Sequence, residues 1–412
     1  MTIKAAFLIL YTLIKLWGLF LIGAEHRSCS NPIPENVRDV YDAETYARWR
    51  AYQSEKTALS VALALTSLAL NLILYIANAH AWAASLLGGN IYSELFALEL
   101  FAVLVGTLVG IPFSWYDDMV IEQKYGFNRM TKKTFIADQI KSLVISLLLL
   151  TVVTAALAAI HTALGDWMLP VFTGALFAFA LGIAFLYPVF SKIFNKFTEL
   201  EDGELREKLT ALLERHDYKV RGIKVMDASR RSSKSNAYFT GFGRMKTIVL
   251  YDTLLETMDT DEICAVFAHE MGHGLHRDTL RTRALSLVRT FLLVLILWLT
   301  LRAPALFAAF GFAGINYAFA FELTAIFADI ALLPMDILFA WMSRRAEYRA
   351  DAQAVEEGYG ETLIRALKKL TAKDFGLLTP SRLLVVLEYS HPPLSERVAA
   401  IEKGIRSKGN GA

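Results

Sequence analysis

The feature that constrains this chain most is the recurrence of long apolar stretches. A helix needs about 20 mostly apolar residues to cross the hydrocarbon core of a bilayer, and several stretches of the 412-residue chain reach that length. Because 55% of the residues are hydrophobic and only 20% are charged, the chain is neither disordered nor composed like an ordinary soluble enzyme. We therefore predict an α-helical polytopic membrane protein with seven transmembrane helices, at Ala5–Gly23, Ala58–Ala81, Leu95–Trp115, Leu143–Leu164, Met168–Phe190, Leu285–Leu301 and Ala320–Met342.

Lysine and arginine are concentrated in alternate loops. The connections between the first and second helices and between the third and fourth each carry five of them, whereas the next connection in each case carries none. The positive-inside tendency then predicts an N-terminus outside, with the long segment after the fifth helix and the C-terminus in the cytoplasm. A net charge of +2 without a long basic run gives no reason to expect a nucleic-acid partner.

Two polar segments interrupt the membrane pattern. The first predicts helices at Asp202–Asp217 and Asp261–His276, the latter with Thr260 as its N-cap, and strands at Gly222–Asp227, Asn236–Gly241 and Lys246–Tyr251. The second, Ser343–Lys408, is predicted to be helical, and both can pack into one cytoplasmic domain. The predicted division is 1–190 for helices one to five, 191–283 for a loop domain, 284–342 for helices six and seven, and 343–412 for the C-terminal segment.

A His-Glu-x-x-His motif lies on the last predicted helix of the loop domain. His269 and His273 are four residues apart, so both imidazoles lie on one helix face and can bind one Zn²⁺ ion. Glu270 is then placed for the general-base role of a zinc protease. A chance copy of the motif on a solvated helix face, or a site without activity, is the alternative.

A catalytic zinc ion needs a third protein ligand, and the best candidate follows the seventh predicted helix. Glu347 and Asp351 are again four residues apart. Glu347 could bind the metal while Asp351 accepts a hydrogen bond from a ligand imidazole.

Charged residues within the predicted membrane helices favour a cavity or internal ion pairs, because such groups are costly against lipid. Without the zinc motif they would suggest a transporter, which is the alternative from another functional class. They include Lys15, Glu99, Arg289, Asp329 and Asp336.

The chain resembles, from end to end, the integral-membrane CAAX prenyl protease 1 family of zinc endopeptidases. Besides the zinc motif, the resemblance is carried by Val120–Asn128, Ser235–Phe239, Arg345–Asp351 and Tyr389–Arg397. It implies seven membrane helices around a water-filled chamber, one Zn²⁺ per chain held by His269, His273 and Glu347, and Glu270 as the catalytic base.

The resemblance also implies a substrate-binding edge strand, containing Asn236, Ala237 and Tyr238, to which an extended peptide adds. It implies that His391 and Arg397 lie near the metal and bind substrate or stabilise the oxyanion. From the residues alone, His391 could equally be a structural histidine before a Pro-Pro turn, and Asn236 a plain turn residue.

The activity implied by the resemblance is removal of the last three residues of prenylated CAAX proteins or peptides. The composition fits a bacterial inner-membrane protein, with the endoplasmic reticulum membrane as the alternative. In a bacterial setting, quality control of damaged or unfolded membrane proteins is the rival role. The expected partners are a peptide or protein substrate, prenylated or not, and the lipid bilayer.

Overall fold

The computed structural model describes residues 2–234, 236–240 and 247–410. The helices are α1 (Ile3–Ser28), α2 (Ala43–Ile76), α3 (Ala79–Ser85), α4 (Ile91–Tyr116), α5 (Gln123–Tyr125), α6 (Lys132–Leu164), α7 (Met168–Phe194), α8 (Glu204–Arg215), α9 (Asp252–Leu255), α10 (Thr260–Leu275), α11 (Asp278–Leu301), α12 (Pro304–Ala309), α13 (Tyr317–Ala331), α14 (Leu333–Glu356), α15 (Gly360–Lys373), α16 (Arg382–Leu387) and α17 (Leu394–Gly409). The strands are β1 (Phe197–Glu199), β2 (Gly222–Met226), β3 (Ala237–Thr240) and β4 (Thr247–Tyr251).

Helices long and apolar enough to cross a membrane dominate the described residues. Five segments qualify, and there are six if two helices that meet at a bend count as one span. One of the five, Lys132–Leu186, has 55 residues and contains α6 and most of α7, with a short 3-10 turn at Gly165–Trp167 between them. The predicted helical polytopic membrane protein is confirmed, while the count of seven spans stays a prediction.

The seventh predicted helix, Ala320–Met342, is wrong as one continuous helix. Helix α13 ends at Ala331, α14 begins at Leu333, and their axes differ by 63°. Pro334 lies in the first turn of α14. Proline has no N–H to donate and its ring clashes with a carbonyl of the preceding turn, so the helix cannot run straight through it.

The second predicted helix also ends earlier than expected, at Ile76 rather than Ala81. Asn78 adopts a left-handed conformation with φ of 55°, and α3 begins immediately after it. Asparagine tolerates this conformation better than most side chains do. The chain therefore changes direction at Asn78 before the third long helix.

A four-stranded mixed sheet lies in the first polar segment, with strand order β1-β2-β4-β3. Strand β4 pairs in parallel with β2 and antiparallel with β3, and β1 pairs antiparallel with β2. The three predicted strands are confirmed with bounds shorter by one or two residues, and their ends at Gly241 and Lys246 lie outside the described residues. Strand β1 was not predicted, because three residues carry too little pattern to be recognised.

Helix α10 carries the His-Glu-x-x-His motif, and its N-cap is Asp259 rather than the predicted Thr260. The Asp259 carboxylate accepts a hydrogen bond from the Glu262 backbone N–H at 2.8 Å, and the Glu262 carboxylate accepts one from the Asp259 N–H at 3.2 Å. Thr260 has Ile263 three residues later and cannot form this reciprocal pair. The cap therefore fixes where the motif helix begins.

Charged side chains within the membrane helices are paired with one another or with hydroxyl groups. Lys15 lies 3.7 Å from Asp329, and Arg289 donates to Asp336 at 2.8 Å. The hydroxyl of Thr151 donates to the buried Glu99 carboxylate at 2.7 Å. Internal pairing lowers the cost of placing these groups at membrane depth, as the sequence predicted.

Candidate active site

Helices α10 and α14 approach closely at Gly272, inside the zinc motif. A Cβ atom at this position would lie 2.9 Å from the Ala350 Cα and 3.0 Å from the Gln353 Cβ. These distances are shorter than van der Waals contact, so only glycine allows the two backbones to come this near. The close approach places the histidine face of α10 against the turn of α14 that carries Glu347 and Asp351.

Three side chains converge across this contact. The nearest ligand atoms of His269, His273 and Glu347 all lie within 4.8 Å of one another. Nε2 of His269 lies 3.5 Å from Glu347 Oε2, and Nε2 of His273 lies 3.3 Å from Glu347 Oε1. The structure therefore brings together the three residues that the sequence predicted as metal ligands, although Glu347 follows the two histidines by more than 70 residues.

The donor set fits a catalytic zinc ion. Two imidazole nitrogens and one carboxylate leave a fourth tetrahedral position open for chemistry. Glu347 is 4% exposed, and its buried Oε2 has no hydrogen-bond partner in the described part of the chain. A buried carboxylate oxygen without a partner is costly, and a bound cation at this point would satisfy it.

The electrostatics of the site favour a cation between these groups. Burial disfavours the charged imidazolium of His269, but its contacts with Asp351 and Glu347 outweigh burial and raise its pKa to about 9. The carboxylates that stabilise that proton would equally stabilise a metal ion. Burial also raises the pKa of the Glu270 carboxyl, against the opposing effect of His269 and His273. A raised pKa suits a group that must accept and then return a proton.

Each ligand histidine is oriented by a carboxylate, and each carboxylate by an arginine. Nδ1 of His269 lies 2.9 Å from Asp351, which accepts two hydrogen bonds from Arg397. The second set is formed by His273, Asp278 and Arg349: Nδ1 lies 3.3 Å from Asp278, which accepts a hydrogen bond from Arg349 at 2.5 Å.

The first of these sets includes Asp351, which the sequence predicted as the hydrogen-bond acceptor of a ligand imidazole. In the second set, the sequence left open whether Asp278, five positions after the motif, is a surface group or supports a ligand, and it assigned no role to Arg349. Such partners fix the tautomer and the ring orientation of metal-binding histidines.

His391 and Arg397 both reach the site. Nε2 of His391 lies 3.4 Å from Glu347 Oε1, and its Nδ1 lies 2.9 Å from the Ser390 hydroxyl. Its side chain is 64% exposed and thus accessible to a substrate. Arg397 is buried, with Nη1 3.4 Å from Glu347 Oε2 and its other donors on Asp351. This placement favours a positioning role for Arg397, and its role at the oxyanion stays a prediction.

The predicted substrate-binding residues lie at the edge of the sheet. β3 is the last strand in the described sheet order, and it packs beside α10. Asn236 is exposed directly before β3, and its side-chain oxygen accepts a hydrogen bond from the Ala237 N–H at 2.9 Å. Ala237 is buried, and the Tyr238 ring lies edge-on to the Tyr251 ring at 6.2 Å. Asn236 thus lies exposed at the start of the outermost described strand, next to the motif helix.

The Val120–Asn128 motif anchors the segment that leads into β3. Asn128 forms an isolated antiparallel bridge with Ser232, and the Ser233 N–H donates to the Phe127 carbonyl at 3.0 Å. Glu122 lies 3.5 Å from the Lys234 Nζ. These contacts tie the segment before β3 to the polar connection between α4 and α6.

Two family models match the chain. Residues 25–196 match a family described as "CAAX prenyl protease N-terminal, five membrane helices", and residues 199–405 match "Peptidase family M48". The chain belongs to peptidase family M48. This M48 peptidase is therefore a membrane-integrated metalloprotease, and the metal of such peptidases is generally zinc.

Curated relatives cover almost the whole M48 chain. CAAX prenyl protease 1 of Saccharomyces cerevisiae is 33% identical over 92% of this chain and 90% of its own length. The CAAX prenyl protease 1 homolog of Oryza sativa is 32% identical over 97% of both chains. The crystal structure of S. mikatae Ste24p superimposes with a TM-score of 0.91 at 28% identity, covering 97% of this chain and 99% of that one.

Proposed function

We propose that this M48 peptidase is a zinc endopeptidase that removes the last three residues of prenylated CAAX proteins or peptides. The observation that carries the proposal is the His269–His273–Glu347 cluster beside the general-base candidate Glu270, in which the buried Oε2 of Glu347 accepts no hydrogen bond from the described residues. The names of the yeast and rice relatives supply the substrate class.

His269, His273 and Glu347 would hold the zinc ion, which polarises the scissile carbonyl and acidifies water. Glu270 accepts a proton from the attacking water and returns it to the leaving amine. His391, exposed beside Glu347, donates a hydrogen bond to the oxyanion that develops on the carbonyl oxygen. The peptide lies extended along the edge of β3, with Asn236, Ala237 and Tyr238 as its binding residues.

An apolar cavity supports the proposal that the substrate is prenylated. It has a volume of about 720 Å³ and lies between α7 and α11. Helix α11 begins three residues after the motif helix ends, and the lining residue Leu280 follows His273 by seven residues. Each buried methylene of a prenyl chain would contribute about 0.8 kcal/mol to binding. The cavity is lined by Phe177, Leu181, Gly182, Phe185, Leu280, Arg283, Ala284 and Leu287.

The location of this activity follows from the charge pattern of the loops. We place the active site and the C-terminus in the cytoplasm and the N-terminus outside. The composition favours a bacterial inner membrane, with the endoplasmic reticulum membrane as the alternative. We also retain the four-part division at residues 190, 283 and 342, in which the loop domain and the C-terminal segment each supply part of the site.

The test is cleavage of a farnesylated CAAX peptide and its unprenylated twin by the detergent-purified protein and by Glu270→Ala. Metal content is measured on both samples, since the variant should keep its zinc. Loss of the last three residues from the prenylated peptide, with the wild type only, is the expected result. Zinc without cleavage of either peptide would favour quality control of unfolded proteins, and folded protein without zinc would contradict the enzyme mechanism.

A further inference from the structure

A second cavity lies directly beside the metal cluster. Its volume is about 320 Å³, and it is formed by α11, by the first half of α14 and by the end of α16. The residues that line it are Thr282, Asp336, Phe339, Ala340, Met342, Ser343, Leu387, Glu388 and Ser390. None of them belongs to the metal cluster or to the substrate strand.

Two of the lining residues lie near the catalytic groups. Ser343 precedes Glu347 by four residues of α14, a distance of about 6 Å along the axis. Ser390, in the opposite wall, lies 2.9 Å from Nδ1 of His391, whose Nε2 is 3.4 Å from Glu347. An extended peptide advances about 3.3 Å per residue. The cavity is therefore within about two residues of any bond that is cleaved at the metal.

The cavity is held open by hydrogen bonds rather than by loosely packed side chains. Nη1 of Arg344, on α14, donates to the Val385 carbonyl at 2.5 Å and to the Tyr389 carbonyl at 2.8 Å. The Tyr389 hydroxyl in turn donates to Glu25. These bonds fix the end of α16 against α14 and α1, as expected of a preformed binding pocket.

The charges at the rim favour a cation. Asp336 and Glu388 both contribute carboxylates. Arg289 compensates Asp336 at 2.8 Å, whereas Glu388 is exposed and has no cationic partner within the described residues. The Glu388 carboxylate is thus available to pair with a cation from a substrate. In the same lining, Phe339, Met342 and Leu387 offer an apolar wall on which a methylene stem can pack.

We infer that this cavity is a substrate side-chain pocket that takes a lysine or arginine one or two residues from the scissile bond, with Glu388 as its specificity-determining residue. The inference rests on the proposed function, because it assumes that an extended peptide is cleaved at the metal. The stem of the basic side chain lies against the apolar wall and its charged end reaches Glu388. The same carboxylate repels acidic side chains at that position.

The experiment uses a series of farnesylated CAAX peptides. Lysine or glutamate replaces, one position at a time, each residue within two positions of the scissile bond, except the prenylated cysteine. The wild type should cleave the lysine peptide with about tenfold higher kcat/KM than the glutamate peptide at one position. Glu388→Gln should remove this preference and Glu388→Lys should reverse it. Glu361→Lys, a matched change of an exposed glutamate outside the pocket, should leave the ratio as it is.

Binding of labelled peptides to Glu270→Gln, with and without the Glu388 substitutions, separates this inference from the proposed function. If the peptides bind with a charge preference that changes with the Glu388 substitutions, but the wild type cleaves none of them, the pocket is supported and the proposed activity is contradicted. Equal lysine-to-glutamate ratios for the wild type and Glu388→Lys at every position would overturn the inference, even if cleavage is efficient. Absence of both binding and cleavage would overturn both.

Discussion

Arg397 donates two hydrogen bonds to Asp351, at 2.6 and 2.9 Å, across 46 residues of sequence. Both side chains are buried, and Asp351 lies in turn 2.9 Å from Nδ1 of His269. The planar guanidinium thus fixes the carboxylate that orients a metal-binding imidazole. This arrangement makes the metal site depend on a helix that supplies none of its three ligands.

Arg397→Lys should weaken zinc binding by about tenfold to a hundredfold. Lysine keeps the charge but cannot form the two parallel hydrogen bonds, so Asp351 is free to turn. Competition with a chromophoric chelator measures the affinity. Arg406→Lys, an exposed change on the same helix, is the control. Equal affinities for the two variants would contradict the positioning role of Arg397.

Asp278→Asn should lower zinc affinity by about tenfold, because His273 loses the carboxylate at its Nδ1. The same substitution leaves Arg349 without its counter-ion, so some loss of thermal stability is expected as well. Asp202→Asn, at a side chain that is 95% exposed, controls for the change of charge. Retention of wild-type affinity by Asp278→Asn would show that His273 does not need this partner.

Gly272→Ala should separate α10 from α14 and disrupt the metal cluster. The added methyl would lie 2.9 Å from the Ala350 Cα, and overpacking of this kind costs about 1–3 kcal/mol. A lower apparent Tm in detergent and a lower zinc content are the expected results. At Gly404 the nearest heavy atom to an added Cβ is at 3.6 Å, so Gly404→Ala should be tolerated. Similar behaviour of the two variants would contradict the close-approach explanation.

His391→Ala should lower kcat by about a hundredfold to a thousandfold while zinc content stays near one per chain. The side chain is exposed beside Glu347 and is not one of the three clustered ligands, so its loss removes a hydrogen-bond donor without opening the site. Single-turnover cleavage of the farnesylated peptide, combined with metal analysis, distinguishes the two effects. Loss of zinc would instead make His391 part of metal binding, and unchanged kcat would make it structural.

Features set by local pattern could be predicted from the sequence. The spacing of His269 and His273 needs only helical periodicity, and the long apolar stretches need only length. The predictions failed where a single residue determines where a helix begins or ends. Pro334 broke the seventh helix, and the Asp259–Glu262 pair moved the N-cap. These signals were visible, but the weight of a single residue against a long apolar pattern is difficult to judge.

The sequence by itself determined a helical membrane protein whose motif helix presents two histidines on one face, because both properties depend on residues close together in the chain. Only the tertiary structure decided that Glu347 meets them, that Asp278 and Arg349 support His273, and that the cavity beside the cluster is lined by Glu388, which has no ion-pair partner in the part of the chain that the structure describes. Such contacts join segments tens of residues apart. They depend on the 63° bend after α13 and on the close approach of α14 to Gly272, and local periodicity carries no information about either.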